Sequence, residues 1–186
     1  MDKKPRCSWA NPKNEKYLSY HDNEWGSAKR RDDGYLFEML LLESFQAGLS
    51  WECVLNKREN FRRAFDGFDY HKICLYDAKK REELCRDAGI IRNKRKIQAC
   101  VDNAEVFIKI QQEYGSFSKY IWGFTNNQVI YENNRTNSEL SDKISRDLQA
   151  RGMKFVGSTI VYSYLQAIGV IYSHEDTCYL CRTVKK

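Results

Sequence analysis

The chain has 186 residues, of which 42% are apolar, 13% aromatic and 30% charged, with only 10 glycines and 2 prolines. This is the composition of a folded, helix-inclined chain long enough for a real core, and it excludes collagen-like, low-complexity and disordered readings. The formal charge is +6, and eight basic against three acidic residues between positions 79 and 96 carry most of it, so the expectations are a polyanionic partner or a solvated helix end.

The first 13 residues, MDKKPRCSWANPK, contain no apolar block that could direct export, and no stretch approaches the roughly 18 apolar residues of a membrane span. A cytoplasmic protein is expected. Seven cysteines, at positions 7, 53, 74, 85, 100, 178 and 181, are odd in number and scattered, which favours reduced thiols or metal ligands over a disulfide framework.

Helical periodicity recurs along the chain and strand signals are almost absent. Asp32 and Asp33 can cap a helix over 35–47, apolar nearly all round (LFEMLLLESFQA) and therefore a buried central helix, which Gly48 ends. Further helices are expected over 50–65 and 78–88. The clearest spans 94–114, with Ile97, Val101, Ala104, Ile108 and Gln111 along one side and Gly115 as its stop. An aromatic helix over 116–124 comes next, followed by a polar stretch, 125–137, that reads as an exposed loop or a short hairpin. Ser141 is expected to cap a helix aligned by Ile144 and Leu148 and stopped by Gly152, and Ser158 to open a last one reaching Gly169. Seven helices without internal repeat make an all-α chain.

Glu43 interrupts the most apolar of these helices, and its neighbours one turn away, Met39, Leu40, Gln46 and Ala47, offer no cation. Such a carboxylate takes up a proton, finds a distant ion partner, or waits for a ligand. Glu38 lies nearer the helix start, where the macrodipole alone accommodates an anion. Around Glu43 in sequence stand Trp9, Tyr17, Tyr20, Trp25 and Trp51, which form either core or a slot where planar rings face a carboxylate and suit a flat, positively charged heterocycle. Cys7, His21, His174 and Cys178 make a Cys2His2 set if the two ends of the sequence meet, with zinc as the natural metal. Buried cysteines with lone histidines are the other reading, and Cys181 is a spare. The stretch KFVGSTI at 154–160 is a glycine turn before a helix. Its backbone N–H groups at Gly157, Ser158 and Thr159 can hold a phosphate, with the basic turn Lys94, Arg95 and Lys96 as a second contact.

These motifs, taken together with YHDNEWG at 20–26, QAGLSW at 46–51 and DAGIIRNKRKIQACVDNA at 87–104, closely resemble type I DNA-3-methyladenine glycosylases, the constitutive alkylation-repair enzymes of bacteria. The resemblance runs in unbroken order from Cys7 to Cys178. It implies a helix-hairpin-helix fold over 1–186, built from two interdigitated helical subdomains, with a structural zinc ion on Cys7, His21, His174 and Cys178 clipping the termini together. It places Glu43 at the carboxylate that recognises the methylated base, Trp51 at the ring stacked on it, Tyr17 and Tyr20 among pocket tyrosines, and Trp9, Trp25 and Ser163 beside the pocket. The implied activity is extrusion and hydrolytic release of 3-methyladenine from double-stranded DNA by a monomer, without a lyase step. Glu43, Tyr20 and Trp51 would carry the catalysis. Tyr172-Ser173 departs from the Asn-Asp usual before the zinc histidine, which puts any support from that acid in doubt. The alternative from another class is a helix-hairpin-helix module that binds lesions without chemistry.

Overall fold

The computed structural model describes residues 4–182. Most of its helices begin where a short polar side chain takes backbone N–H groups that a first turn leaves unpaired. In chain order they are α1 (Glu15–Asn23, capped by Asn14), α2 (Asp33–Gln46, Asp32), α3 (Trp51–Asn56, Ser50), α4 (Arg58–Ala64, without a side-chain cap), α5 (Tyr70–Ile73, Asp69) and α6 (Ala78–Arg86, Asp77). Then follow α7 (Lys94–Tyr114, Asn93), α8 (Phe117–Gly123, Ser116), α9 (Glu139–Ala150, Ser138) and α10 (Ser158–Ala167, behind Gly157). Two short strands, β1 (Ile130–Tyr131) and β2 (Ile171–Tyr172), pair in parallel, with Ile130 opposite Ile171.

α2 is the axis of the molecule. A helix that is apolar on every side has no solvent face to offer, and α2 is buried from Tyr35 to Phe45, packed by α3, α7, α8 and α10. A single apolar cluster includes residues from Tyr17 to Ile171, so the whole helical assembly shares one core. Polar pins fix the helices within it. The Asp33 carboxylate accepts from the backbone N–H groups of Phe117 and Ser118, each at 2.8 Å, and so caps α8 from the first turn of α2. Behind α10, Gly169 holds φ at +77°, and a Cβ there would lie 2.4 Å from the Ala28 nitrogen. Only glycine permits that close approach, which brings the start and end of the sequence side by side.

Several expected boundaries change. The helix expected over 50–65 is two, α3 and α4, because Lys57 leaves helical geometry (φ −97°, ψ 0°) while its ammonium donates to the carbonyls of Ala88 and Gly89. Ser138 caps α9; Ser141 lies three residues inside it and closes a capping box with Ser138. α10 opens at Ser158 as expected, behind Gly157, but ends at Ala167 instead of reaching Gly169. The stretch 125–137 is a loop whose one strand pairs with the distant β2, not a hairpin. α1 and α5, short and capped by single residues, were absent from the periodicity reading.

Candidate active site and metal centre

The cavity is built from residues spaced one helical turn apart. Tyr17 and Tyr20 on α1, Glu43 and Gln46 on α2, and Ser163 and Gln166 on α10 each form an i,i+3 pair on one helix face, and the three faces converge on a cavity of about 280 Å³. Trp9, Trp25 and Trp51 also line it, so all seven pocket residues named from the sequence face one space. The rings brace one another: Tyr20 and Trp51 have centroids 5.3 Å apart, Trp9 and Tyr17 5.3 Å, and Trp9 and Trp25 4.8 Å.

Three buried polar atoms in this cavity have no protein partner: Glu43 Oε2, Gln46 Oε1 and Trp51 Nε1. Buried polar groups are nearly always paired, and an unpaired set sharing one space is what a hydrogen-bonding ligand would complete. Burial alone pushes the Glu43 carboxyl well above the usual carboxylate range. The neighbouring phenols move the same way. Burial, then the charges of Glu52 and Glu43, pushes Tyr17 up to about 12, and burial with the Glu43 charge holds Tyr20 well above its ordinary value. Both therefore stay protonated donors at neutral pH.

Glu38 shows what an ordinary buried carboxylate on the same helix looks like. It is 4% exposed, with Arg58 Nε at 2.7 Å and Arg62 Nη2 at 2.5 Å, and Arg58 reaches on to Glu24 at 2.8 Å. The helix dipole is thus not its main support, as sequence reasoning had it; two guanidiniums are. Glu43 has neither.

The four expected metal ligands also meet. Cys7, His21, His174 and Cys178 are all buried, with donor atoms within 4.8 Å of one another. His174 Nδ1 lies 3.5 Å from both sulfurs and His21 Nε2 lies 3.4 Å from Cys178 Sγ. A tetrahedral ion with ordinary Zn–S and Zn–N bonds would hold its sulfur and nitrogen ligands about 3.5 Å apart, so the set fits such an ion. Backbone N–H groups of Glu175 and Leu180 donate to the Cys7 and Cys178 sulfurs at 3.4 Å. Cys181 stays outside the group. The acid missing before His174 is replaced on the other side: Asp22 lies 2.8 Å from His21 Nδ1 and is itself held by Arg6 at 2.6 Å. Ser173, in the departed position, donates to the Glu132 carbonyl. Centre and cavity share walls, because Trp9 stands edge-on to His21 at 5.2 Å and Trp25 edge-on to His174 at 4.7 Å.

A family model described as methyladenine glycosylase matches residues 9–182. Over 179 residues the chain is 43% identical to DNA-3-methyladenine glycosylase 1 of Escherichia coli (strain K12), covering 93% of this chain and 95% of that one. The chain belongs to the methyladenine glycosylase family. A crystal structure of 3-methyladenine DNA glycosylase I matches with a TM-score of 0.90 at 39% identity, covering 95% of this chain and 100% of the other. A variant of 3-methyladenine DNA glycosylase I in complex with 3-methyladenine matches at 0.89 and 33% identity, covering 94% and 96%. The chain is an enzyme of the methyladenine glycosylase family, which disfavours a lesion-binding module without chemistry.

In this glycosylase the basic face lies beside the turn between α9 and α10. Lys94 and Arg95 are exposed at the start of α7 and, with Lys154 and Phe155 of the turn, line a groove of about 1020 Å³. Asn103 of α7 pins the turn, donating to the Lys154 carbonyl at 3.0 Å and accepting from its N–H at 2.8 Å. Gly157 caps α10 without a side chain, and the Ser158 hydroxyl is taken by Asp142 and Ser141, so any anion there would meet backbone N–H groups. Lys96 corrects the sequence reading. It is 5% exposed and its ammonium donates to the carbonyls of Phe45 at 2.7 Å and Ala47 at 2.6 Å, away from the groove.

Sequence reasoning missed Gln46, Gln166, Asn134, Arg135, Ser173 and Glu175 among the cavity's residues. The first two were findable, one turn beyond Glu43 and Ser163. Arg135 comes from the loop after β1, and no local pattern could have placed it.

Proposed function

We propose that this enzyme extrudes a 3-methyladenine nucleotide from double-stranded DNA and hydrolyses its glycosidic bond without a lyase step, as a monomer in the cytoplasm. The observation that carries the reading is Glu43 Oε2, buried and unpaired among aromatic rings. Methylation at N3 places positive charge on adenine, which weakens the glycosidic bond and makes the base a good leaving group without protonation. The enzyme then needs recognition more than acid–base machinery.

Glu43 accepts from N–H groups of the cationic base, and that charge draws the carboxyl into its ionised form. Gln46 Oε1 is the adjacent acceptor. Trp51 and Tyr20 supply stacking faces, and Tyr17, Trp9, Trp25 and Ser163 close the slot. Neutral adenine offers no charge to offset the desolvated carboxylate and leaves slowly, so contacts and chemistry discriminate together. Water attacks C1′ and an abasic site remains. Among the described residues no lysine lines the cavity, which supports direct hydrolysis over a Schiff base.

The helix–turn–helix-like unit of α9, the 151–157 turn and α10 serves as the helix-hairpin-helix. Backbone N–H groups of Gly157, Ser158 and Thr159 hold one phosphate, and Lys94 and Arg95 another. Leu49, 43% exposed on the turn between Gln46 and Trp51, is an apolar side chain suited to fill the gap an extruded base leaves. Zinc on Cys7, His21, His174 and Cys178 is structural, since four protein ligands leave no position for water.

The test is single-turnover base release from methylated duplex DNA, with Glu43→Gln in parallel. Release of 3-methyladenine by the native enzyme, sharply slowed in the variant, is the expected result. Equal release by both would remove Glu43 from the site.

A further inference from the structure

Lys96 sits in the first turn of α7, yet its ammonium is spent on another helix. α2 has no basic residue in its last turn, and the residue that follows it, Ala47, is out of helical geometry (φ −46°, ψ 111°). The last carbonyls of a helix lack intrahelical partners, and those of Phe45 and Ala47 receive the Lys96 N–H groups at 2.7 and 2.6 Å. A cation there also meets the negative end of the helix dipole. Lys96 thus caps α2 from outside. The two carbonyls flank Gln46, and the chain that leaves them runs through Gly48 (φ +80°), exposed Leu49 and Ser50 to Trp51. On the other side, Lys94 and Arg95 precede Lys96 in the same turn, and the Phe155 ring of the α9–α10 turn lies 5.7 Å from its Nζ.

We propose that Lys96 is a positioning residue for base recognition: it fixes where α2 ends, and so holds Trp51 opposite Glu43 while joining the basic turn to the cavity. This rests on the assignment of the cavity as the base site. The side chain has the charge of a phosphate ligand but not the exposure, and two of its donors already have short partners. Exchange of the ammonium for an apolar group strips the buried Phe45 carbonyl and the part-buried Ala47 carbonyl of this donor, and the turn that carries Trp51 shifts to reach water.

The variants are Lys96→Met, which keeps the stem and removes the donors, and Lys96→Gln, which retains one donor group and serves if the first does not fold. Four readouts separate the roles: the Trp51 indole N–H resonance, affinity for free 3-methyladenine, single-turnover release, and the salt dependence of affinity for undamaged duplex. In Lys96→Met the Trp51 resonance is expected to move, base affinity and release to fall about tenfold or more, and the salt slope to stay at the native value. Partial recovery of release in Lys96→Gln is expected. A flattened salt slope with an unmoved Trp51 resonance would make Lys96 a phosphate ligand and overturn the proposal. A lower melting temperature with native Trp51 resonance and native base affinity would reduce it to a stabilising contact and overturn it equally. If the native enzyme neither binds nor releases 3-methyladenine although Trp51 still moves in the variant, the cavity assignment fails and the positioning stands.

Discussion

Replacing Glu43 with glutamine should make the enzyme more stable and less active, and the size of the gain follows from its surroundings. The carboxyl is buried and unpaired, and burial alone raises it above its ordinary value of 4.5. Each pH unit above 4.5 through which the folded carboxyl keeps its proton costs about 1.4 kcal/mol. The amide leaves its own buried atoms about as unpaired as the protonated acid does, so about 1 kcal/mol per unit should survive as net stabilisation. For a chain of this size that is a rise of about 3 °C in Tm per unit. The sign with pH is fixed by linkage. The folded state holds a proton that the unfolded state gives up above 4.5, so native stability falls relative to the variant as pH rises from there towards the folded value. Below 4.5 both states are protonated and the difference vanishes. Thermal melts of both proteins from about pH 5 to about pH 8 read this directly. Single-turnover release should meanwhile slow by about 10- to 100-fold, through loss of the charged acceptor. A variant that melts at or below the native temperature throughout that range, with no trend in the gap, would refute the reasoning.

Glu38→Ala should destabilise by about 3 kcal/mol, read by urea unfolding, because it strips the buried Arg58 of one of its two carboxylates. Lys94→Ala with Arg95→Ala should weaken duplex binding and flatten its salt dependence by about 1–2 in slope, with release from saturated enzyme nearly unchanged; an unaltered slope would remove both from the interface. Metal removal by a chelator should lower Tm and weaken binding of free 3-methyladenine together, since Trp9 and Trp25 lean on His21 and His174. Metal-free protein with native melting and native base binding would count against a shared wall. Borohydride treatment during turnover should trap no covalent DNA adduct, and recovery of one would install a lysine in the mechanism.

The parts of the site that the sequence made legible are those carried by helical repetition or by an oddity within it. Glu43 was visible because a charge among LFEMLLLESFQA has no neighbour to justify it. α7 ran to its expected bounds because twenty-one residues of consistent periodicity outweigh any local ambiguity. The two halves of the candidate metal group, Cys7 with His21 and His174 with Cys178, by contrast lie more than 150 residues apart, and their spacing alone leaves a rival reading of buried cysteines with lone histidines. What stayed hidden depends on tertiary reach. Lys96 and Arg95 are adjacent and equally basic in the sequence, but one points into the protein and the other out. The break at Lys57 arises from carbonyls at 88 and 89, and the partners of Glu38 arrive from α4. No window of local sequence contains such information.

The parallel pairing of β1 with β2 and the contact of residue 7 with residue 178 give the cavity a history as well as a shape. Tyr17, Glu43 and Trp51 precede Ser163, Gln166 and Glu175 by more than a hundred residues in the sequence, so a growing polypeptide carries most of the aromatic wall long before the opposite side exists. α3, α7 and α8 can gather around α2 before α10 joins them, whereas the recognition slot closes only with α10 and the segment after it. Without the residues from Ser163 onward the aromatic wall of Tyr17, Tyr20 and Trp51 has no opposite side, and Cys7 and His21 have no partners in the Cys2His2 group.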